Sequence, residues 1–171
     1  SFPTRRSSDL EWEWAAMDGI LDLRTGAVYG TQGEGNARTR PVRRIGAVSW
    51  IDNSGALWLF GGRYSRERNF LNDLWKYDPA TGNWTWMKGS SRLNQAGTYG
   101  TQGVPDAANT PGARAGAVSW TDNSGALWLF GGYGSWWLYL FGMQNDLWRY
   151  DPATGNWTWM KGSSRLNQAG T

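Results

Sequence analysis

Two long stretches of this 171-residue chain occur twice. GAVSWIDNSGALWLFGG at residues 46–62 returns as GAVSWTDNSGALWLFGG at 116–132, with one substitution in 17 positions. NDLWKYDPATGNWTWMKGSSRLNQAGT at 72–98 returns at 145–171, and Lys76, replaced by Arg149, is its only change. An incomplete third copy opens the chain: Trp12 and Trp14 match Trp84 and Trp86, and VYGTQG from Val28 matches TYGTQG from Thr98. Near-identical units at a spacing of about 70 residues imply a repeat architecture, in which each unit buries its faces against its neighbours.

Within a unit the pattern has period two. GAVSW alternates small and large residues, LWLF is a short apolar run, DLWKY alternates again, and NWTWMK sets Trp84 and Trp86 on one face with Thr85 and Met87 on the other. Asp52-Asn53-Ser54-Gly55 separates the first two segments and Asp78-Pro79-Ala80-Thr81-Gly82 the last two. Both have hairpin length and carry Gly where positive φ is needed. Each unit therefore predicts four antiparallel strands, the make-up of a propeller blade. Composition agrees, with 14 Trp and 24 Gly against only 18% charged residues, a balance that favours sheets and turns over helices. The repeated Trp50, Trp58, Trp75, Trp84 and Trp86, with their equivalents, read as sheet-packing core.

The unit resembles a kelch repeat, the blade motif shared with the galactose oxidase propeller. Its marks are an apolar strand ending in Gly-Gly (Gly61 and Gly62; Gly131 and Gly132), then a Tyr and a Trp separated by six residues (Tyr77 and Trp84; Tyr150 and Trp157). The resemblance implies an all-β fold, a kelch-type β-propeller fragment of two full four-stranded antiparallel blades plus a partial one. The period exceeds the roughly 50 residues usual for kelch, and closed propellers need about four to eight blades, so the chain is expected to be a piece of a larger propeller. Residues 1–10 resemble a translated sequencing adaptor and are set aside as non-native. The expected divisions are 11–39 for a partial blade and long connection, 40–88 for one blade, 89–113 for an inter-blade connection, 114–161 for a second blade, and 162–171 for the start of the next connection. Two blades leave both outer faces bare, and the chain is expected to associate.

Strand direction locates a working face. In an antiparallel blade the connections after the second and fourth strands emerge together, and here both are long. Residues 89–113 are polar and aperiodic, which marks them as a functional or mobile connection. The loop after the second strand is also where the two copies part company: 63–71 offers Arg63, Tyr64, Arg66 and Arg68, and 133–144 offers Tyr133, Trp136, Trp137 and Tyr139. Variation confined to one loop of a duplicated scaffold fits recognition of a protein or glycan partner. Two plainer readings compete with it: LYLFGM from Leu138 echoes LWLFGG from Leu127 as a slipped duplicate would, and an arginine cluster is commonly a solvated face.

No cofactor is expected. The chain has no His and no Cys, so it lacks His general bases, thiolate nucleophiles, disulfides and any metal site built on those ligands. A copper oxidase of the galactose oxidase kind would have to carry its ligands in other blades. Asp73, Asp78, Asp146 and Asp151 occupy equivalent repeat positions and are expected to cap turns rather than to form an acid and base pair. The net charge of +3 is too small and scattered to indicate nucleic acid, and no apolar run reaches the length of a membrane span. Three functions stay open: a non-catalytic binding module, part of a secreted carbohydrate-active enzyme, and a structural spacer. The resemblance to bacterial surface kelch proteins implies a secreted or cell-surface location.

Overall fold

The computed structural model describes residues 26–64, 68–137 and 140–169. Trp12 and Trp14 of the partial copy lie outside them. Among the described residues there is no helix, and so none long and apolar enough to cross a membrane. The chain is all-β. In the first blade, β1 (Val48–Ile51), β2 (Leu57–Phe60), β3 (Leu74–Asp78) and β4 (Asn83–Lys88) form one antiparallel sheet in chain order. The second blade repeats it with β6 (Val118–Thr121), β7 (Leu127–Phe130), β10 (Leu147–Asp151) and β11 (Asn156–Lys161).

The turn residues act as their chemistry dictates. Asp52 accepts the amides of Ser54 and Ala56 on one carboxylate oxygen, at 2.9 and 3.0 Å, and the Trp58 indole on the other, at 2.8 Å. Gly55 supplies the positive φ of that turn. Asp78 caps the next hairpin through the Ala80 amide and the Thr81 hydroxyl, both at 2.9 Å, and Asp151 does the same with Ala153 and Thr154. That hairpin sets Tyr77 directly opposite Trp84, with ring centroids 5.1 Å apart, and Tyr150 opposite Trp157 at 5.0 Å. The six residues between Tyr and Trp are thus one further cross-strand pair, Asp78 with Asn83, and a four-residue turn, which together bring the two rings opposite each other.

The blades pack face to face. Val48, Trp50, Trp58, Phe60 and Leu74 of the first interlock with Leu127, Leu129, Trp148, Tyr150 and Trp157 of the second in one buried cluster. Trp58 meets Tyr150 at 5.4 Å and Phe60 meets Trp157 at 5.5 Å. The Trp50 indole donates to the Trp128 carbonyl across the seam at 2.9 Å. The Gly-Gly pair closes the seam at its end: a Cβ on Gly61 would sit 2.7 Å from the Arg114 carbonyl oxygen, and one on Gly62 3.1 Å from the Ala47 nitrogen. The Gly62 amide donates to Arg114 at 2.8 Å.

Two features depart from the sequence reading. Residues 133–144 are not a loop: β8 (Tyr133–Trp137) and β9 (Leu140–Met143) form a hairpin, and β5 (Arg114–Ala115) adds to β8 to make a third sheet. LFGM, the described part of the sequence that echoes LWLFGG, forms a strand of its own. The connection at 89–113 holds no strand, as its lack of period implied, but it is anchored rather than free. Its Thr98 and Thr110 pair with each other, and the strap between them lies along β11, with Gly103 donating to Trp159 at 2.8 Å and Asp106 to Trp157 at 3.4 Å. Residues 28–40 lie on β4 in the same way, through Gly33 to Trp86. An open sheet edge invites pairing with other chains, so each unit spends its extra residues on covering the outer strand of its blade.

Candidate functional site

Each blade is clamped at its long-loop end by one polar cluster. Arg44 meets Asp73 with two hydrogen bonds, 2.6 and 2.9 Å, and also donates to the Gly61 carbonyl. The Tyr29 hydroxyl and the Trp75 indole complete the carboxylate at 2.8 and 2.7 Å. Arg114, Asp146, Tyr99 and Trp148 repeat the cluster, with Arg114 donating to Gly131. Asp73 and Asp146 therefore do not cap turns, as their sequence positions led us to expect. They are buried ion-pair acceptors, and their lone pairs are filled by Arg, Tyr and Trp donors. Burial works against ionisation of Asp146, but the Arg114 charge and its hydrogen bonds outweigh it and hold the carboxyl below the ordinary range. Burial, and then the Asp146 charge, push the Tyr99 hydroxyl well above its usual range, so it stays a donor.

Above the clusters lie the divergent segments. The chain brings them together. Phe70, from the first, is buried between Tyr133 and Phe141 of the second, at 5.7 and 5.9 Å. The Arg68 guanidinium lies over the Phe141 ring at 5.1 Å and is exposed. Tyr133 is also exposed. Arg63 is half-buried and its backbone bridges to Ile45. Tyr64, half-buried, packs on Ala27, Val42 and Leu71, with Arg43 over its ring. Arg66 and Tyr139 lie outside the described residues, and Trp136 and Trp137 are placed by their backbone, in β8. Of the eight residues singled out in sequence, Arg68 and Tyr133 thus belong to one ridge, while Arg63 and Tyr64 serve the base of the first blade. Phe70 and Phe141 had gone unnoticed, because the cue to them, an aromatic in each of the two segments that diverge after the second strand, needs the loops to be neighbours in space.

Beside the ridge is a polar cleft of about 310 Å³. Asn72, Ser90, Gln95, Thr98 and Thr110 line it, with Lys88 at its wall. Asn94, next to Gln95, ties the cleft to the ridge: its side chain accepts the Phe70 amide at 2.9 Å and its carbonyl accepts the Ser135 hydroxyl at 3.5 Å. Lys88 donates to the Ala107 carbonyl, and burial lowers its pKa against the opposing pull of Asp106.

Residues 54–87 match the Kelch motif family. No curated protein matches the chain. Among solved structures, a copper-bound fungal alcohol oxidase of the AA5 family aligns at 16% identity and a TM-score of 0.48, over 70% of this chain and 22% of its own. YjhT aligns at 19% identity and a TM-score of 0.47, over 71% of this chain and 38% of its own. The chain thus spans well under half the length of either.

Proposed function

We propose that this chain, a kelch-repeat protein whose second complete blade repeats the strands of the matched motif, is a non-catalytic module that recognises a protein or carbohydrate through its long-loop end. One observation carries the reading. The segments after the second strand, where the two blades differ most, meet at Arg68, Phe70, Tyr133 and Phe141, and leave Arg68 and Tyr133 exposed on a single ridge. A scaffold that keeps its blades the same and varies only adjoining loop tips separates stability from specificity. Flat aromatic and guanidinium surfaces contribute stacking area at low entropic cost. The adjoining cleft, lined by amides and hydroxyls, supplies the hydrogen-bonding partners that a sugar needs. It favours a carbohydrate over a protein.

A glycan array probed with the purified chain tests this. We expect a restricted set of glycans to bind, and Arg68→Ala and Tyr133→Ala to weaken them about tenfold each, the scale of one lost anchor, with unchanged melting. Bound glycans indifferent to both substitutions overturn the ridge as the site. A blank array together with a bound protein partner sensitive to both moves the ligand class to protein.

A further inference from the structure

Residues 63–71 and 133–144 occupy equivalent places in the two blades but differ in charge. The first segment carries Arg63, Arg66 and Arg68 against a single acid, Glu67, whereas the second has no charged residue. The contrast extends beneath the loops. Arg43 is exposed in the first blade, and its counterpart Ala113 is buried where β8 lies against it, its carbonyl accepting the Ser135 amide at 3.0 Å. The ridge therefore has one apolar flank and one cationic flank. The fold gathers the cations around Tyr64. Arg43 lies over the Tyr64 ring at 5.7 Å. Arg63 bridges to Ile45 and to Phe70, and the Tyr64 amide donates to Asn69, next to Arg68, at 2.9 Å. Leu93 packs on the same Ala27, Val42 and Leu71 cluster as Tyr64, which brings in the exposed Arg92 from the inter-blade connection.

Among the described residues, none of Arg43, Arg63, Arg68 and Arg92 forms a salt bridge. Asp73, at the same end of the blade, is buried against Arg44 and offers them nothing. All four are arginine, whose planar fork of donors matches a carboxylate or a sulfate as a lysine does not. They come from three separate segments, which suits a ligand that repeats its charge along a chain rather than a single small acid. Arg92 leads from them into the polar cleft: its amide donates to the Ser90 hydroxyl at 3.0 Å, and Ser90 lines the cleft. We infer that the carbohydrate taken at this end is an acidic polysaccharide, its repeated carboxylates or sulfates meeting the four arginines while its hydroxyls meet the amides and hydroxyls of the cleft. The inference rests on the carbohydrate reading above and gives it a chemical class. Nucleic acid fits less well, because the two rings among the cations, Tyr64 and Phe141, are covered by Arg43 and Arg68 and are not open to stack bases.

Affinity electrophoresis of the purified chain tests this, in gels holding polygalacturonate, its fully methyl-esterified form, dextran sulfate, dextran or single-stranded DNA. Polygalacturonate or dextran sulfate retards the chain, and the stronger of the two identifies the anion as carboxylate or sulfate. Retardation is lost in the esterified polymer and in dextran, and it weakens as salt is raised. Arg43→Gln and Arg68→Gln each lower affinity about threefold to tenfold with unchanged melting, and Arg43→Lys recovers only part of that loss. Arg38→Gln, which removes the same charge from the strap along β4, leaves binding as it was. Equal loss from Arg38→Gln, indifference to Arg43→Gln and Arg68→Gln, or DNA bound as tightly as either acidic polymer would overturn the inference. Neutral polymers held as well as acidic ones, with loss on Tyr133→Ala, overturn the acidic class and leave the ridge as a carbohydrate site, whereas a chain retarded by no polysaccharide removes both.

Discussion

Arg114 and Asp146 meet end to end beneath the loops of the second blade, joined by two hydrogen bonds of 2.7 Å and sealed from water on every side. A guanidinium left without its carboxylate in such a place is far costlier than the pair itself is stabilising. Asp146→Ala should lower stability by about 3–5 kcal/mol, seen as a drop in the urea midpoint. The paired change Arg114→Met with Asp146→Leu should cost much less, because no charge is stranded. Equal losses from the single and the double variant would show that packing, not charge, holds this site.

The same pair sets the acid limit. Asp146 ionises more readily folded than unfolded, so its contribution is present in full above the ordinary carboxylate range, near pH 4. It is lost as pH falls through the lowered folded value. Stability should therefore fall steeply below about pH 4. That part of the fall should be absent from the Arg114→Met, Asp146→Leu variant when urea midpoints are compared from pH 6 downward.

Gly61 and Gly55 both have positive φ, 64° and 81°, but only Gly61 is crowded. A Cβ there meets the Arg114 carbonyl oxygen at 2.7 Å, whereas one at Gly55 meets nothing within 4 Å. Gly55→Ala should cost about 1 kcal/mol from backbone strain alone. Gly61→Ala adds a clash with the neighbouring blade, for a total of about 3 kcal/mol or more. Similar urea midpoints for the two variants would separate the Gly-Gly mark from blade packing.

Strand positions and the turn caps at Asp78 and Asp151 were readable because they depend on contacts a few residues apart, and the Gly-Gly ends because both copies repeat them, although the contacts that require Gly61 reach Arg114. The ion pairs were not, since Arg44 and Asp73 are brought together only by the folded blade. A signal was present all the same: between the copies Val42, Arg43 and Ile45 change to Gly112, Ala113 and Ala115, while the arginine among them stays, as do Tyr29 and Asp73 in their counterparts Tyr99 and Asp146. The straps at 28–40 and 98–110 were illegible for a different reason. They bond to β4 and β11 through backbone groups and a few scattered side chains such as Asn109, which leave no side-chain period to read.

Those straps give a fourth prediction. Asn109 is buried and donates to the Trp157 and Val104 carbonyls, both at 3.1 Å, and Gly103 donates to Trp159. In hydrogen exchange the amides of Gly103 and Thr110 should be protected together with β11, and Asn109→Ala should release them while costing about 1–3 kcal/mol. Exchange of these amides at the rate of an open loop would return 89–113 to the mobile connection its composition implied.

The ridge separates packing from recognition at adjacent residues. Phe70 is buried between Tyr133 and Phe141, so Phe70→Ala should cost about 3–5 kcal/mol and weaken ligand binding as the two loops lose register. Arg68 reaches the same aromatic cluster from outside, over Phe141. An exposed cation on a ring contributes only about 0.5–1 kcal/mol, so Arg68→Ala should leave the melt within about a degree or two of wild type while still lowering affinity. A double-mutant cycle with Phe141→Leu should return a coupling of the same small size in stability. Arg68→Ala that destabilises as much as Phe70→Ala would make the guanidinium part of the inter-blade packing, and the ridge would lose its claim to be a binding surface.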